Sequence, residues 1–316
     1  MLVACLPYGS DDSQLRRVLA GMPAVDAVVL PAAGVDEGAV WLEQLLPALR
    51  REIFLQPELQ ILVSVDREGL ESTLRTAAEM LCQANSEETS LARTGTRGEV
   101  GQVVEWLAAG ESLAHSRTGA SLSDEAILDT ASIRFGAAPI VEVCEIGASL
   151  VISESPAPGS LILGAIYQSL GIAGNDWHRL ATAETLARLV ESPHEARPLW
   201  LEVTDDGQLE LVGLPTLTVE MLEASLETLR EEVARDPSPA VTIGLDQTTI
   251  EQIAPGRFSL HPITVQPAAG RYAVEITYRE SAEAPPQKWP TSISRLQAEW
   301  EAQVWTAKEW SQRLSS

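Results

Sequence analysis

A chain of 316 residues, 45 % hydrophobic and 21 % charged, has the make-up of a folded globule with one large or two modest domains, not of a disordered chain. Its 45 acidic residues outnumber 22 basic ones, for a formal net charge of −23. That balance supplies no basic stripe to neutralise phosphates, so neither nucleic acid nor an anionic membrane surface is an expected partner.

"LVACLPYG" reads as a first strand, stopped by Pro7 and Gly9, and one of Asp11, Asp12 or Ser13 can cap a helix over "SQLRRVLAGM". "VDAVVLPA" is a second strand. "EGAVWLEQLLPALRREI" carries Val40, Leu42, Leu45, Leu46 and Leu49 on one helical face, with a bend or break at Pro47. "LQILVSVD" and "EGLESTLRTAAEMLCQA" repeat the strand–helix pair. This alternation predicts parallel strands joined by helices. "NSEETSLARTGTRGE" is polar and predicts a loop, "VGQVVEWLAAG" a helix, and "SDEAILDTASIRFGAAPIVEVCEIG" one or two helices. "ASLVIS" is the next strand. It is followed by the loop "SESPAPGS", the helix "LILGAIYQSL", and a helix over "GNDWHRLATAETLARLVES" capped by Asn175 or Asp176.

Past Pro198 the pattern changes. "LWLEVTDDGQLELVG" predicts a hairpin turning at Asp206-Gly207. An amphipathic helix follows over "TVEMLEASLETLREEVA", and then three strands, "AVTIGLDQTTIEQI", "GRFSLHPITV" and "GRYAVEITY". "SAEAPPQKWP" reads as a link. "TSISRLQAEWEAQVWTAKEWSQRL" predicts a last helix, with Leu296, Trp300 and Val304 at i, i+4 and i+8. The expected organisation is an α/β part over residues 1–197, with a largely parallel sheet, and a mostly antiparallel α+β part over 198–316 that ends in the Trp-rich helix. That helix either anchors a second subunit or packs on its own sheet.

Few constellations carry chemistry. His115, His178, His194 and His261 lie outside metal-ligand spacing of one another, and Cys5, Cys82 and Cys144 make neither a zinc site nor a disulfide framework; no metal is expected. No Walker loop, Gly-x-Gly-x-x-Gly or Gly-x-Ser-x-Gly occurs, so no cofactor is assigned. Ligands of parallel sheets favour the carboxyl edge of the strands. That edge holds "PYGSDDSQ", "SVDREG" and "SESPAPGS". From them come Asp11 and Asp66 as candidate acid/base groups, and Ser153, Ser155, Gly159 and Ser160 as candidate contacts to a small molecule. Asp11 and Asp12 read first as cap and first-turn acids of the helix that follows, whose dipole they suit. The start "MLVACLPYG" lacks a signal-peptide pattern, and no apolar run reaches membrane-spanning length, which predicts a cytoplasmic protein.

The run "ASIRFGAAPIVEVCEIGASLVIS" followed by "GNDWHRLATAETLARLVES" resembles the acyclic terpene utilisation (AtuA-type) family. Phe135, Gly136, Ala137, Pro139, Ile140, Glu142, Gly147, Ala148, Val151 and Ile152 fall in step with that family's first run. Asp176, Trp177, Arg179, Leu180, Ala181, Thr185, Leu186 and Ala187 fall in step with its second. The resemblance is closest over residues 131–191. It implies an α/β scaffold and a place in bacterial catabolism of acyclic terpenes such as citronellol and geraniol. Where the family has Thr-Gly-Arg after the strand, this chain has Ser153, Glu154 and Ser155, and where the family has Asn-Ala-Gly-Gly it has Ser64, Val65, Asp66 and Arg67. Scaffold residues match and polar ones differ. The expectation is a retained fold with an altered small-molecule site, in either a catabolic enzyme or a non-catalytic relative serving as a binding or assembly subunit.

Overall fold

The computed structural model describes residues 1–6, 25–31, 59–96, 99–116, 118–123, 125–171, 176–191, 199–213, 216–235, 241–261, 263–267, 271–294 and 300–315. Asp11 and the loop "PYGSDDSQ", and with them the helices expected before residue 59, lie outside the described residues.

The first strands are short apolar runs, β1 (Leu2–Cys5), β2 (Ala27–Leu30) and β3 (Gln60–Val65). They pair in parallel, β1 with β2 and β2 with β3. Helix α1 (Arg67–Gln83) leaves β3 directly, capped by Asp66, and buries Leu70, Thr73, Leu74, Ala77, Ala78 and Leu81 along one stripe. Strand β4 (Ser90–Thr96) follows, then α2 (Glu99–Ala108), β5 (Ile127–Arg134), α3 (Ala138–Glu145) and β6 (Leu150–Glu154). β6 inserts between β3 and β4, parallel to both. Its carboxyl end therefore lies beside that of β3, and the segments that follow the two strands become neighbours.

After β6 come α4 (Ser160–Leu170), α5 (Trp177–Glu191), β7 (Leu199–Val203) and β8 (Leu209–Val212). β7 pairs antiparallel with β1, so the sheet continues across residue 197 and only the strand direction changes there. The hairpin expected at Asp206-Gly207 is present, with β7 and β8 antiparallel and Gly207 at φ 77°. Helix α6 (Val219–Arg235), β9 (Val241–Gly244), β10 (Thr249–Ala254), β11 (Arg257–His261), β12 (Thr264–Pro267) and β13 (Arg271–Arg279) follow. The chain closes with β14 (Gln287–Ser294), β15 (Trp300–Thr306) and α7 (Ala307–Leu314).

The large sheet has the order β10-β11-β8-β7-β1-β2-β3-β6-β4-β15, with a parallel centre and antiparallel flanks. Successive residues of its central strands point to opposite faces, as the pleat requires. Val3 and Cys5 join one core with the side chains of α3, α4, α5 and α6, while Ala4 and Leu6 join the other with α1 and α7. A third core under the antiparallel sheet β14-β13-β5 includes Val103 and Trp106 of α2 and Phe135.

Three expectations are corrected. Residues 90–96, expected as loop, form β4, whose small and polar side chains are buried by pairing: Thr94 Oγ1 donates to Ser153 Oγ at 2.9 Å. Residues 127–134, expected as helix, form β5, which pairs with β13 some 140 residues later in the chain. The Trp-rich terminal helix is mostly strand. Trp289 lies on β14 and Trp300 and Trp305 on β15, while Trp310 alone of the four falls in α7. β15 pairs with β4, and a long-range ladder of that kind overrides the helical spacing of Trp300 and Val304. Among the described residues, no helix is long and apolar enough to cross a membrane.

Candidate functional site

Beyond the carboxyl ends of β3 and β6 opens a cleft of about 780 Å³. Its volume is that of a small-molecule site, and its position is the one parallel sheets favour. Ser64, Val65 and Asp66 contribute from the β3 end, Ser155, Pro156 and Pro158 from the β6 end, Arg188 and Glu191 from α5, and Ser132 and Thr277 from the small sheet.

The β6 side is shaped by backbone geometry. Ser155 adopts φ 42°, a left-handed conformation uncommon for a residue with a Cβ. Its N–H donates to Val65 O at 2.8 Å, which turns the chain out of the sheet against β3. Pro156 and Pro158 line the cleft wall and leave the cavity open. Ala157 N–H then donates to Phe135 O at 2.7 Å, which ties the loop to the end of β5. Gly159, at φ 80°, starts α4. A Cβ there would lie 3.0 Å from Arg188 Cγ and 3.3 Å from Ala187 Cβ, so glycine meets both a conformational and a space requirement.

The sequence-predicted residues separate into two groups. Asp66 and Ser155 face the cleft. Asp66 also accepts the Gly69 N–H at 2.8 Å and caps α1. Ser153 and Ser160 are buried behind the wall: Ser153 accepts from Thr94, and Ser160 Oγ donates to Phe135 O at 3.4 Å. Neither lines the cleft, so their expected role as ligand contacts is corrected to internal hydrogen bonding. The Gly159 N–H, expected to face a ligand, donates to Glu191 Oε2 at 2.6 Å. A carboxylate of the chain thus occupies the positive end of α4.

Glu191 is the group that the sequence reading passes over. It ends α5, where the helix dipole disfavours an anion, and that misfit is its one sequence signal. Its carboxyl is pushed up to about 7. Burial is the main cause. The Gly159 N–H and the Arg188 guanidinium pull the other way, and Glu184 adds repulsion. One turn back, Arg188 Nε and Nη2 donate to Glu184 Oε1 at 3.2 and 3.0 Å. Both side chains of that pair are almost fully buried, which fixes the guanidinium at the cleft floor. At the other side, Arg67 Nη1 donates to Ala131 O at 3.2 Å and Lys288 pairs with Glu275 at 2.8 Å, joining the start of α1 to the small sheet and bracing the rim.

This arrangement suits proton transfer. A carboxyl that titrates near neutrality serves as acid or base at working pH. The thiols do not suit nucleophilic work: burial raises Cys5 well above its usual value and pushes Cys144 up to about 12. Among the described residues, no group of three or more His, Cys, Asp or Glu side chains is placed to hold a metal ion. No family model matches the chain, and no curated protein or solved structure matches it.

Proposed function

We propose that this chain is a cytosolic catabolic enzyme, a divergent relative of the acyclic terpene utilisation family. It acts on a small polar molecule held at the carboxyl edge of the parallel strands. The observation that carries this reading is Glu191, a carboxyl titrating near 7 in the wall of a cleft of about 780 Å³. Glu191 moves the proton, Arg188 in its pair with Glu184 fixes the cleft floor, Arg67 supplies positive charge at the rim, and Asp66, Ser64 and Ser155 orient the ligand. The hydroxyl-rich, mixed-charge walls suit a ligand that carries hydroxyl or carbonyl groups rather than a bare hydrocarbon.

The test is to incubate the purified chain with a pool of small metabolites and to read depletion by mass spectrometry, alongside Glu191→Gln. The expected result is a compound consumed by the unaltered chain and spared, at least a hundredfold, by the variant. Equal consumption by both removes Glu191 from the mechanism.

A second reading, a binding or assembly subunit, draws on β15. It ends the large sheet among the described residues and carries the half-exposed Trp300, and an edge strand of that kind can add a strand from another chain. Light scattering on the purified chain decides it, since a monomer at all concentrations removes self-assembly.

A further inference from the structure

Opposite the ends of β3 and β6, the cleft has a second wall, made by the small sheet β14-β13-β5. Alternation along the strands makes that wall polar. Ala131 and Ile133 of β5, with Val274 and Ile276 of β13, enter the third core, while Thr130, Ser132 and Thr277 line the cleft. Thr130 lies opposite Thr277, and Thr277 opposite Lys288, so one polar row crosses all three strands. We propose that the cleft takes a neutral polyhydroxylated molecule, a sugar or an alditol, whose hydroxyl groups are read by the small sheet. This rests on the cleft being the ligand site, as above, but not on Glu191 as the proton carrier.

The first observation is a set of unspent hydroxyls. Ser64, Thr130, Ser132, Ser155 and Thr277 line the cleft from both walls, and none of their hydroxyls bonds to another described residue. The hydroxyls behind the wall are spent: Thr94 on Ser153, Thr96 on Glu154 and Ser160 on Phe135 O. Each open hydroxyl can donate and accept at once, and so can each hydroxyl of a sugar. Opposed residues of neighbouring strands hold their Cβ atoms about 5 Å apart, so one ligand can bridge Thr130 and Thr277. Ser155 keeps its place at φ 42°, a backbone state that persists only where its surroundings impose it. The second observation is charge. The cations of the cleft are engaged within the chain: Arg188 with Glu184, Lys288 with Glu275, Arg67 with Ala131 O, and Arg134 likewise has a partner. The carboxylates of Asp66 and Glu232 stand in the same lining. An anionic ligand gains little from such walls, whereas a neutral one meets donors and acceptors alike. The third is the absence of a stacking surface. Among the described residues no aromatic side chain lines the cleft, so a flat ring has nothing to stack on and hydrogen bonds carry the selection. A site of that kind rejects analogues that lack the hydroxyls it bonds.

The test is calorimetric titration of the full chain with neutral mono- and disaccharides and alditols, with hexanediol, gluconate and inorganic phosphate as comparators. The expected result is saturable one-site binding of at least one neutral polyhydroxylated compound, at least tenfold tighter than hexanediol or either anion. Thr130→Val and Thr277→Val keep the β-branched shape that suits a strand, and each weakens that binding at least tenfold. Thr228→Val, on the exposed side of α6, leaves it unchanged. Absence of saturable binding by the neutral compounds overturns the assignment. So does equal or tighter binding of hexanediol, gluconate or phosphate, indifference to both cleft substitutions, or a weakening by Thr228→Val equal to theirs. The ligand class and the enzymatic reading fail separately. Hydroxyl-dependent binding without Glu191-dependent consumption of any compound keeps the class and removes the enzyme. Glu191-dependent consumption of some compound, with no neutral sugar or alditol bound, keeps the enzyme and removes the class.

Discussion

Glu191 Oε2 and the Gly159 N–H meet at 2.6 Å, so the positive end of α4 is closed by a carboxylate from the last turn of α5. Two helices that flank the same cleft are thereby joined by one charged hydrogen bond. The most direct consequences concern pH, backbone and buried charge.

The carboxyl of Glu191 rises from 4.5 to about 7 on folding, so the folded state holds its proton more tightly than the unfolded state does. Between those two values the unfolded chain binds fewer protons, and stability falls as pH rises. Below pH 4.5 the group contributes no penalty, and above pH 7 the full penalty, up to about 3 kcal/mol, is present. Glu191→Gln keeps an acceptor for Gly159 and removes the charge. Its melting temperature is expected to exceed that of the unaltered chain at pH 8 and to converge with it towards pH 5. Parallel curves across that range would show that the carboxyl is not shifted.

Gly159→Ala is expected to cost about 2 kcal/mol or more, because it combines left-handed strain with crowding against Arg188 and Ala187. Gly147 offers the control: it has φ 90° and nothing within 4 Å of an added Cβ, so Gly147→Ala meets the strain alone. Urea denaturation of the two variants separates the contributions. A Gly159→Ala loss no larger than that of Gly147→Ala would mean that α5 does not press on this loop.

The Glu184–Arg188 pair is buried on both sides. Removing one member strands a charge away from water, so Glu184→Leu alone is expected to destabilise by about 3–5 kcal/mol. The double replacement Glu184→Leu with Arg188→Met leaves no unpaired charge and should recover most of that loss. Chemical denaturation of the single and double variants checks it, and additive losses would count against the pairing.

Helix α7 begins with a reciprocal cap. Thr306 Oγ1 accepts the Glu309 N–H at 3.3 Å, and Glu309 Oε2 accepts the Thr306 N–H at 2.9 Å. Thr306→Ala should cost about 1 kcal/mol. Because Trp310 of the same helix is buried and its Nε1–H donates to Leu91 O at 2.8 Å, protease resistance of the C-terminal segment should drop as well. An unchanged urea midpoint would show that the cap is not formed in solution.

Much of the large sheet was legible in the sequence. β1 and β2 are uninterrupted apolar runs, β3 and β6 carry the apolar stretches Ile61–Val63 and Leu150–Ile152, and a strand buried on both faces has little other way to be written. The Asp206-Gly207 turn announced the β7–β8 hairpin through its need for a positive φ. β4 was not legible. Its Arg93, Thr94, Gly95 and Thr96 look like loop residues, and their burial depends on Ser153 and Glu154 nearly 60 residues later. β5 and β15 failed for a related reason, since their partners are β13 and β4 and nothing local distinguishes them from helices. The site followed the same pattern. Asp66 and Ser155 line the cleft because they follow strand ends, which a sequence shows, whereas Glu191 reaches it from the far end of a helix, where its one signal is an anion at the wrong end of the dipole.

The pairing of β15 with β4 also sets an order of events during synthesis. Ser90 to Thr96 leave the ribosome more than 200 residues before Trp300 to Thr306, so one edge of β4 waits without its partner while most of the chain is made. The same holds for β5, which waits for β13. Contacts this distant close late, and exposed strand edges favour pairing with the wrong chain in the interval. The last strand and the helix behind it therefore work as a latch. A nascent chain stalled before Trp300 keeps an open edge, and it should be the form that calls most on chaperones.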